Sequence, residues 1–398
     1  MKILIVDDEP FALKLVVRQL ATKGFTDVVP CQRALDALAV LAADGDAIEL
    51  VICDLQMPDM DGVQLVRHLA EIAYGGSLVL ISGEDGRILE TAARLARAHQ
   101  LQLIGALHKP VTADQFTRVL ERHRSRMPPI RTARPKVYGR DELHRGIAAG
   151  ELVNHYQPKV HVASGAVLGV ESLVRWQHPQ DGLVLPDQFV DTAEQHGLID
   201  ALTSSVLTAA LRQARVWRDD GLDLDMAVNV SMDNLANLQF PELVAGVAQA
   251  EGVPLTQLVI EVTESRLMPD ARAPLDILTR LRLKRVQLSV DDFGTGHSSL
   301  AQLRDFPFDE LKIDRTFVHG ACRDPSLRAI FDASRRMARD LGMKVVAEGV
   351  EDRADWDLLR ATDCDMAQGN FIAAPMPASE FDRWVASWDG QRKGLFSY

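Results

Sequence analysis

Short, almost wholly apolar runs alternate with amphipathic helical stretches along the first part of the chain. The runs cover residues 2–6, 49–54, 77–82 and 101–107, and a weaker run lies at 27–31. Runs of this kind are typical of parallel strands that are buried on both faces. Because strands and helices alternate, the pattern predicts an α/β fold with a doubly wound parallel sheet, whose ligands bind beyond the carboxyl ends of the strands.

The second part of the chain carries eight further strand-like runs, with amphipathic helical stretches in most of the gaps. These runs cover residues 153–160, 167–176, 225–231, 258–265, 286–293, 310–317, 344–351 and 366–371. Eight strands with their helices in a segment of this length predict a (β/α)8 barrel of the TIM type. The helical content of the gaps argues against a β-sandwich.

A stretch rich in proline and arginine, "RSRMPPIRTARPKVY", separates the two parts. Proline hinders a continuous helix and favours extended backbone, so we expect a semi-rigid linker here. The predicted organisation is a first domain at 1–124, a linker at 125–138 and a barrel domain at 139–398.

Composition narrows the functional classes. The 398-residue chain has a formal charge of −12, which argues against a DNA-binding surface, and it has no apolar run long enough to cross a bilayer. The start "MKILIVDDEP" is too short and too acidic for a secretion signal. The scattered cysteines suggest buried free thiols in a reducing cytoplasm; they are Cys31, Cys53, Cys322 and Cys364.

Polar side chains follow the predicted strands of the first domain and converge on one edge of the sheet. They are Asp7, Asp8, Glu9, Asp54, Ser82 and Lys109. Acids that meet at one edge can hold Mg²⁺, because a hard cation prefers oxygen ligands. Ser82 and Lys109 could bind the oxygens of a phosphoryl group that Asp54 receives as nucleophile. In isolation, however, "DDE" could simply cap the next helix, and Lys109 could be a solvated loop residue.

Together these residues give residues 1 to about 124 a resemblance to the receiver domain of bacterial response regulators, a flavodoxin-like fold. The matching pieces are "VDDE", "CDLQMPDMDG", "LISGE" and "HKP". The resemblance implies that Asp8 and Asp54, with help from Asp7, bind one Mg²⁺. It also implies that a sensor histidine kinase phosphorylates Asp54. Receivers often carry an aromatic residue three positions before the lysine, and Ala106 stands there in this chain.

Each predicted strand of the barrel carries a polar residue in or near its second half. In chain order these residues are Gln157, Glu171, Asn229, Glu261, Asp291 with Asp292, Lys312 with Asp314, Glu348 and Gln368. Buried carboxylates are costly unless they are paired or bound to metal, and parallel strands bring their carboxyl ends to one rim. The adjacent Asp291 and Asp292 could each approach a different ion of a pair that clamps a phosphodiester. The oxygen-rich set favours Mg²⁺ or Mn²⁺ over zinc.

The spacing of polar residues along the strands also indicates groups that could transfer protons. Lys312 and Asp314 lie two residues apart and therefore on one face of their strand. A lysine there can hold a water molecule or a phosphate oxygen, while a carboxylate such as Glu348 accepts the proton. On spacing alone, a structural network at the rim or a barrel with another chemistry stays open beside a metal-dependent phosphoester hydrolase.

Residues 139 to about 387 resemble the EAL domain, the family of cyclic-di-GMP phosphodiesterases. The tripeptide that names the family reads "ESL" here, so Ser172 replaces its alanine. The pieces "YQP", "NVS", "EVTES", "DDFGTGHSSL", "LKIDRTFV", "VVAEGVE" and "AQGNF" follow in the family's order. The resemblance also implies that the first barrel strand runs antiparallel to the others.

Roles follow from the resemblance, position by position. It implies that Glu171, Asn229, Glu261 and Asp291 bind one metal ion, and that Asp292 and Asp314 serve a second. Glu348 would be the general base assisted by Lys312, and Glu264 would anchor the "DFGTGHSS" loop. Substrate or water would be contacted by Gln157, Arg175 and Gln368. Three further departures from the family pattern are His297, Asn370 and Ala374.

The sequence therefore predicts a cytoplasmic response regulator that hydrolyses cyclic-di-GMP to linear 5′-pGpG, at a rate tuned by phosphorylation. Expected cofactors are two Mg²⁺ or Mn²⁺ ions in the barrel and one Mg²⁺ in the receiver. Expected partners are cyclic-di-GMP, a sensor histidine kinase and a second copy of the chain, as a dimer or higher homo-oligomer. The alternatives are a catalytically silent cyclic-di-GMP sensor and, least favoured, a transcription factor, for which no helix-turn-helix candidate exists.

Overall fold

The chain folds into two compact units, Met1–Ala133 and Arg134–Tyr398. The computed structural model describes residues 1–83, 86–124, 136–263, 272–294 and 300–396.

The first unit is a five-stranded parallel sheet with helices on both faces. Its strands are β1 (Lys2–Val6), β2 (Val28–Cys31), β3 (Ile48–Asp54), β4 (Ser77–Ser82) and β5 (Gln102–His108). Its helices are α1 (Pro10–Thr22), α2 (Ala34–Asp44), α3 (Gly62–Glu71), α4 (Gly86–Ala98) and α5 (Ala113–Arg124). The spatial order β2-β1-β3-β4-β5 is that of a doubly wound receiver sheet, and the predicted fold class is confirmed.

Strand β1 shows why the apolar runs lack alternation. Ile3 and Ile5 pack into the apolar layer on one face of the sheet, and Leu4 and Val6 pack into the layer on the other face. Both faces are covered by helices, so successive side chains are all buried. The polar residues therefore collect where the strands end.

The second unit is an eight-stranded closed barrel, again as predicted. Its barrel strands are β6 (Leu152–His161), β7 (Val167–His178), β9 (Asp225–Val230), β10 (Leu258–Thr263), β11 (Gln287–Phe293), β12 (Glu310–Ile313), β13 (Lys344–Ala347) and β14 (Met366–Ala367). Two short strands, β8 (Gly182–Val184) and β15 (Met376–Pro377), extend the sheet beside β7 and β6. β12, β13 and β14 are shorter than the runs that predict them.

The helices of this unit surround the barrel. They are α6 (Arg140–Ala148), α7 (Val190–Gln195), α8 (Ile199–Asp219), α9 (Phe240–Glu251), α10 (Arg272–Leu283), α11 (Leu300–Asp305), α12 (Arg315–Val318), α13 (Pro325–Asp340), α14 (Arg353–Ala361) and α15 (Ala378–Phe396). A continuous apolar core fills the space between strands and helices.

Strand direction follows the resemblance. From β7 through β9 to β14, neighbouring strands are parallel. β6 closes the barrel antiparallel to both β7 and β14. The carboxyl ends of seven strands therefore share one rim with the amino-terminal end of β6.

Alternation along the strands sorts apolar from polar side chains. In β12, Leu311 and Ile313 belong to the apolar core under the helices, whereas Glu310 and Lys312 are buried on the opposite face, inside the barrel. In β11, Leu288 and Val290 pack outward in the same way. The barrel interior near the rim is consequently charged.

The predicted linker lies mostly outside the described residues, and its boundaries stay a prediction. Its last three residues, Lys136, Val137 and Tyr138, are described, and Tyr138 is buried in the core of the barrel unit. Among the cysteines, Cys322 is exposed, so the expectation of four buried thiols is wrong at that position. Within the described part of the chain, no helix is long and apolar enough to cross a membrane.

Candidate active site

In the first unit, three acids meet at the carboxyl edge of the sheet. Carboxylate oxygens of Asp7, Asp8 and Asp54 all lie within 4.8 Å of one another. Lys109, directly after β5, places its Nζ 2.7 Å from Asp54 Oδ2 and 2.9 Å from Asp7 Oδ2. Ser82 ends β4 beside them, and its carbonyl accepts the Lys109 backbone N–H at 2.7 Å. The structure thus brings all five predicted receiver residues to one edge.

The pKa and the hydrogen bonding of Asp54 are those expected of a ligand-binding carboxylate. Burial raises the pKa of its carboxyl, and the nearby Lys109 ammonium opposes that shift. Its Oδ1 is buried and has no hydrogen-bond partner among the described residues. An oxygen donor in this position fits a Mg²⁺ ion or a phosphoryl group. Ala106, at the position of the frequent aromatic residue, is half-buried in β5.

In the barrel, Lys312 is the centre of the acidic rim. Its side chain is 1% exposed, and its Nζ contacts carboxylates from four strands or their loops. The distances are 2.8 Å to Glu261 Oε2, 2.8 Å to Glu348 Oε1, 3.0 Å to Asp291 Oδ1 and 3.3 Å to Glu171 Oε2. One ammonium group therefore holds four acids that are far apart in the sequence.

Amide side chains fix the orientation of Glu171. Asn229 Nδ2 donates to Glu171 Oε1 at 2.7 Å, and Gln368 Nε2 donates to Glu171 Oε2 at 2.6 Å. Gln368 also donates to Gln157 Oε1 at 2.9 Å, and Gln157 in turn donates to the Ala373 carbonyl. The buried Gln368 Oε1 has no partner among the described residues, as expected for a site that takes further ligands.

The adjacent aspartates reach the same rim through a change of strand register. β11 pairs regularly with β12 as far as Val290, and the register then shifts before Phe293. Asp292 has a φ of +55°, in the left-handed region, so its side chain leaves the regular alternation. As a result, oxygens of Asp291, Asp292 and Glu348 lie within 4.8 Å of one another.

The remaining predicted residues differ in their placement. Asp314 is buried at the amino terminus of α12, where its Oδ1 accepts the Thr316 backbone N–H at 2.9 Å. Arg175 is half-buried, donates to the Val174 carbonyl at 2.8 Å, and has a pKa that burial lowers. Glu264 and His297 lie outside the described residues.

The structure describes three of the departures from the family pattern, Ser172, Asn370 and Ala374. Asn370 and Ala374 are exposed. Ser172 is buried next to Glu171 in β7, with a hydroxyl that has no hydrogen-bond partner among the described residues. Alternation along the strand points it away from the Glu171 side.

Burial and neighbouring charges give the carboxylates of the rim different pKa values. Burial raises the pKa of Glu171 and raises that of Glu348 well above its usual range, although Lys312 opposes both shifts. Burial would also raise the pKa of Glu261, but Lys159 and Lys312 outweigh it and lower the value to about 2. Burial, together with Asp291 and Asp314, raises the pKa of Asp292 to about 6.

A second buried network lies beside the rim and was not predicted. Lys159 Nζ contacts Glu261 Oε1 at 2.6 Å and Glu310 Oε1 at 3.0 Å, and Ser289 donates to Glu310 Oε1 at 2.9 Å. Period-two spacing could have found both charged partners. Lys159 lies two residues after Gln157, and Glu310 lies two residues before Lys312.

The donor set fits divalent cations. Two groups of carboxylates, Glu171–Glu261–Asp291 and Asp291–Asp292–Glu348, share Asp291 and offer oxygen atoms. Lys312, together with Lys159 beside Glu261, relieves part of the mutual repulsion among these acids. Hard cations, which prefer oxygen ligands, would relieve it further. The residues therefore suit a pair of Mg²⁺ or Mn²⁺ ions.

Comparisons with known proteins agree with this geometry. Residues 140–375 match the EAL domain family, and residues 3–121 match the response regulator receiver domain family. The cyclic di-GMP phosphodiesterase RocR of Pseudomonas aeruginosa is 30% identical over 383 residues, which is 96% of this chain and 97% of RocR.

A second relative covers the barrel. The bifunctional diguanylate cyclase/cyclic di-GMP phosphodiesterase MucR of Pseudomonas aeruginosa is 42% identical over 246 residues, which is 62% of this chain and 36% of MucR. A solved structure of the MucR phosphodiesterase in complex with c-di-GMP is 42% identical, covers 61% of this chain and 98% of that chain, and has a TM-score of 0.58.

Proposed function

The chain belongs to the EAL domain family and carries a response regulator receiver domain, and on this premise we propose that it hydrolyses cyclic-di-GMP to linear 5′-pGpG. The observation that carries the proposal is the set of four carboxylates gathered around Lys312 at the rim of the barrel. The activity in the names of RocR and MucR supports it. A cytoplasmic location is proposed with it.

The two carboxylate groups support a set of proposed metal ligands, to which the family resemblance adds Asn229 and Asp314. Glu171, Asn229, Glu261 and Asp291 hold one Mg²⁺ or Mn²⁺, and Asp292 and Asp314 serve the second. When bound, the two ions supply positive charge to the attacking and leaving oxygens of the phosphodiester. Glu261 is suited to its role because Lys159 and Lys312 lower its pKa to about 2, so that it is ionised near neutral pH.

Glu348 is proposed to accept the proton of the attacking water, with the assistance of Lys312. Glu348 accepts a proton from a water molecule as the water oxygen bonds to phosphorus, and the bond from phosphorus to the ribose 3′ oxygen breaks. Lys312, at 2.8 Å from Glu348 Oε1, favours the ionised carboxylate and orients it. The proton taken up by Glu348 is returned through solvent to the departing 3′ oxygen, so that hydrolysis of one phosphodiester opens the ring to linear pGpG.

Substrate contacts are proposed for three side chains around the rim. Gln157 and Gln368 form an amide pair beside Glu171, and they can bind a phosphate oxygen or water. Arg175 lies four residues further along β7, and its guanidinium can pair with the second phosphate.

Incubation with cyclic-di-GMP and Mn²⁺ tests the proposed reaction. We expect the full chain to release pGpG, identified by chromatography and mass, and we expect EDTA to stop the release. Binding of cyclic-di-GMP without any product, in the presence of Mn²⁺ and Mg²⁺ in turn, would replace the proposal by the alternative of a silent sensor.

The receiver is proposed to regulate this reaction. A sensor histidine kinase phosphorylates Asp54, with one Mg²⁺ held by Asp7, Asp8 and Asp54, and Ser82 and Lys109 bind the phosphoryl oxygens. Assembly into a dimer or higher homo-oligomer belongs to the same proposal and rests on family resemblance. Glu264, which the resemblance implies as the anchor of the "DFGTGHSS" loop, lies outside the described residues.

Beryllofluoride, which mimics an aspartyl phosphate, should change the turnover of the full chain about fivefold or more. Asp54→Ala should abolish the response, because it removes the oxygen that receives the mimic. As a matched control, Asp59→Asn changes an exposed acid that pairs with Arg33 and should leave the response intact. Equal responses of the parent and Asp54→Ala would refute phosphorylation control.

A further inference from the structure

We propose that Asp355 is a positioning residue for Glu348, because its buried carboxylate ties together the two loops that follow β12 and β13. We call residues 314–324 the β12 loop and residues 348–352 the β13 loop. The β12 loop begins with Asp314 and the β13 loop with Glu348, so both carry proposed active-site acids. The inference rests on the function proposed above for Glu348.

Asp355 bonds to both loops at once. It is fully buried in the first turn of α14, where its Oδ1 accepts the Gly320 backbone N–H at 3.2 Å. Its Oδ2 accepts the Glu351 backbone N–H at 3.1 Å and lies 2.8 Å from His319 Nδ1. One side chain therefore satisfies a backbone donor in the middle of the β12 loop and another near the end of the β13 loop.

An acid at this helical position often serves its own helix instead. The third residue of a helix commonly reaches back to the backbone of the capping residue. Here Asp352 caps α14 by itself, since its Oδ1 accepts the N–H groups of Ala354 at 2.8 Å and Asp355 at 3.0 Å. The Asp355 carboxylate is directed to the neighbouring loops.

The β13 loop is attached at its start, middle and end, and in its middle the Val350 backbone N–H donates to the Gln368 carbonyl at 3.1 Å. The Glu348 backbone N–H donates to the Ile313 carbonyl at 3.0 Å, which fixes the start of the loop to β12. Gly349 has a φ of +61°, and a Cβ there would lie 2.1 Å from Arg315 Cβ. Asp355 fixes the end of the loop through Glu351. The reaction rate falls steeply when a catalytic group is misplaced. The hydrogen bond from Glu351 to Asp355 therefore affects the rate by holding Glu348 in position.

His319 strengthens the connection with charge. The groups that face its ring are Asp355 on α14 and Glu351 and Asp352 in the β13 loop, with Glu351 Oε2 at 3.8 Å from Nε2. The hydrogen bond to Asp355 raises the pKa of His319. An imidazolium paired with a buried carboxylate makes a stronger contact than a neutral pair.

The test compares variants of the full chain in cyclic-di-GMP hydrolysis. Asp355→Ala should lower kcat about tenfold and leave KM within about twofold, because the base is displaced while substrate contacts remain. Asp355→Asn should lose less, since its carbonyl oxygen can still accept one backbone N–H. The matched control is Arg323→Gln, which breaks an exposed pair between the same loops, Arg323 Nη2 to Asp352 Oδ2 at 2.9 Å. Its kcat should match the parent.

Hydrogen exchange gives a readout that does not depend on turnover. In Asp355→Ala the amides of Gly320 and Glu351 should exchange faster than in the parent and in Arg323→Gln. The inference is overturned if Asp355→Ala keeps the kcat of the control, or if the lower fraction of folded protein accounts for its whole loss. A parent chain without hydrolysis would overturn the proposed function instead. Unchanged exchange in Asp355→Ala would then overturn the positioning role as well.

Discussion

Glu348→Gln should lower the rate of cyclic-di-GMP hydrolysis by about 10²- to 10⁴-fold, the range that a general base contributes. The amide keeps the size of the side chain and its contact with Lys312, but it cannot take a proton from water. Because the proposed substrate contacts are made by other residues, KM should stay close to the parent value. Product formation, followed by chromatography at saturating Mn²⁺, measures the loss.

Glu242→Gln is the matched control for this variant. Glu242 also pairs with a lysine, Lys284 at 3.4 Å, but it is exposed in the first turn of α9 and belongs to neither carboxylate group of the rim. Its replacement should leave kcat unchanged. If Glu348→Gln kept most of the activity, Glu348 would not be the general base and another carboxylate would have that role. Asp292, whose pKa is raised to about 6, would then be the next residue to substitute.

Lys312→Met should lower the free energy of unfolding by about 3–5 kcal/mol and abolish hydrolysis, because it leaves buried carboxylates without their counter-charge. Urea unfolding monitored by circular dichroism measures the stability loss. Mn²⁺ should reduce the loss, since a divalent ion among the acids replaces the missing positive charge. Methionine is similar in length, so a cavity contributes little to the expected change.

The control for this variant is Lys344→Met, which changes an exposed lysine at the start of β13. Its unfolding free energy should stay within about 0.5 kcal/mol of the parent, as for most surface substitutions. If Lys312→Met were as stable as this control, the rim acids would not depend on Lys312, and the electrostatic account of the site would be wrong.

Most of the fold could be predicted because the two units obey simple periodicity. The runs of the first unit are buried on both faces, and those of the barrel alternate with amphipathic helices. The ends of β12 and β13 were predicted too late, at 317 and 351 instead of Ile313 and Ala347. Apolar residues of α12 and the β13 loop continue the run there, although hydrogen-bonded pairing has stopped.

The antiparallel direction of β6 came from family resemblance, yet the sequence contains a physical signal for it. The connection between β6 and β7 consists only of residues 162–166. A parallel connection needs about a dozen or more residues to cross over the sheet. A gap this short is compatible with a hairpin, and strand spacing would have predicted the reversal without any relative.

The candidate site was predicted in part for a similar reason. Residues at strand ends are visible as polar interruptions, and the structure brings those of each unit together. Lys159 and Glu310 were not predicted because each lies further from the rim than the predicted site residue of its strand. A charged residue at such a position is usually interpreted as exposed, but both are buried. Asp355 was not predicted because two of its three partners are backbone groups of loops, which leave no pattern in the side-chain sequence.

The reversal of β6 also decides where the barrel unit begins. Leu152, at the start of β6, pairs with Trp176 near the carboxyl end of β7, and Tyr138 packs against Trp176 and His178. The first residues of this unit therefore lie on the catalytic side of the barrel. A probe attached at Lys136 would thus report on events at the mouth, and a tag fused there would risk obstructing it.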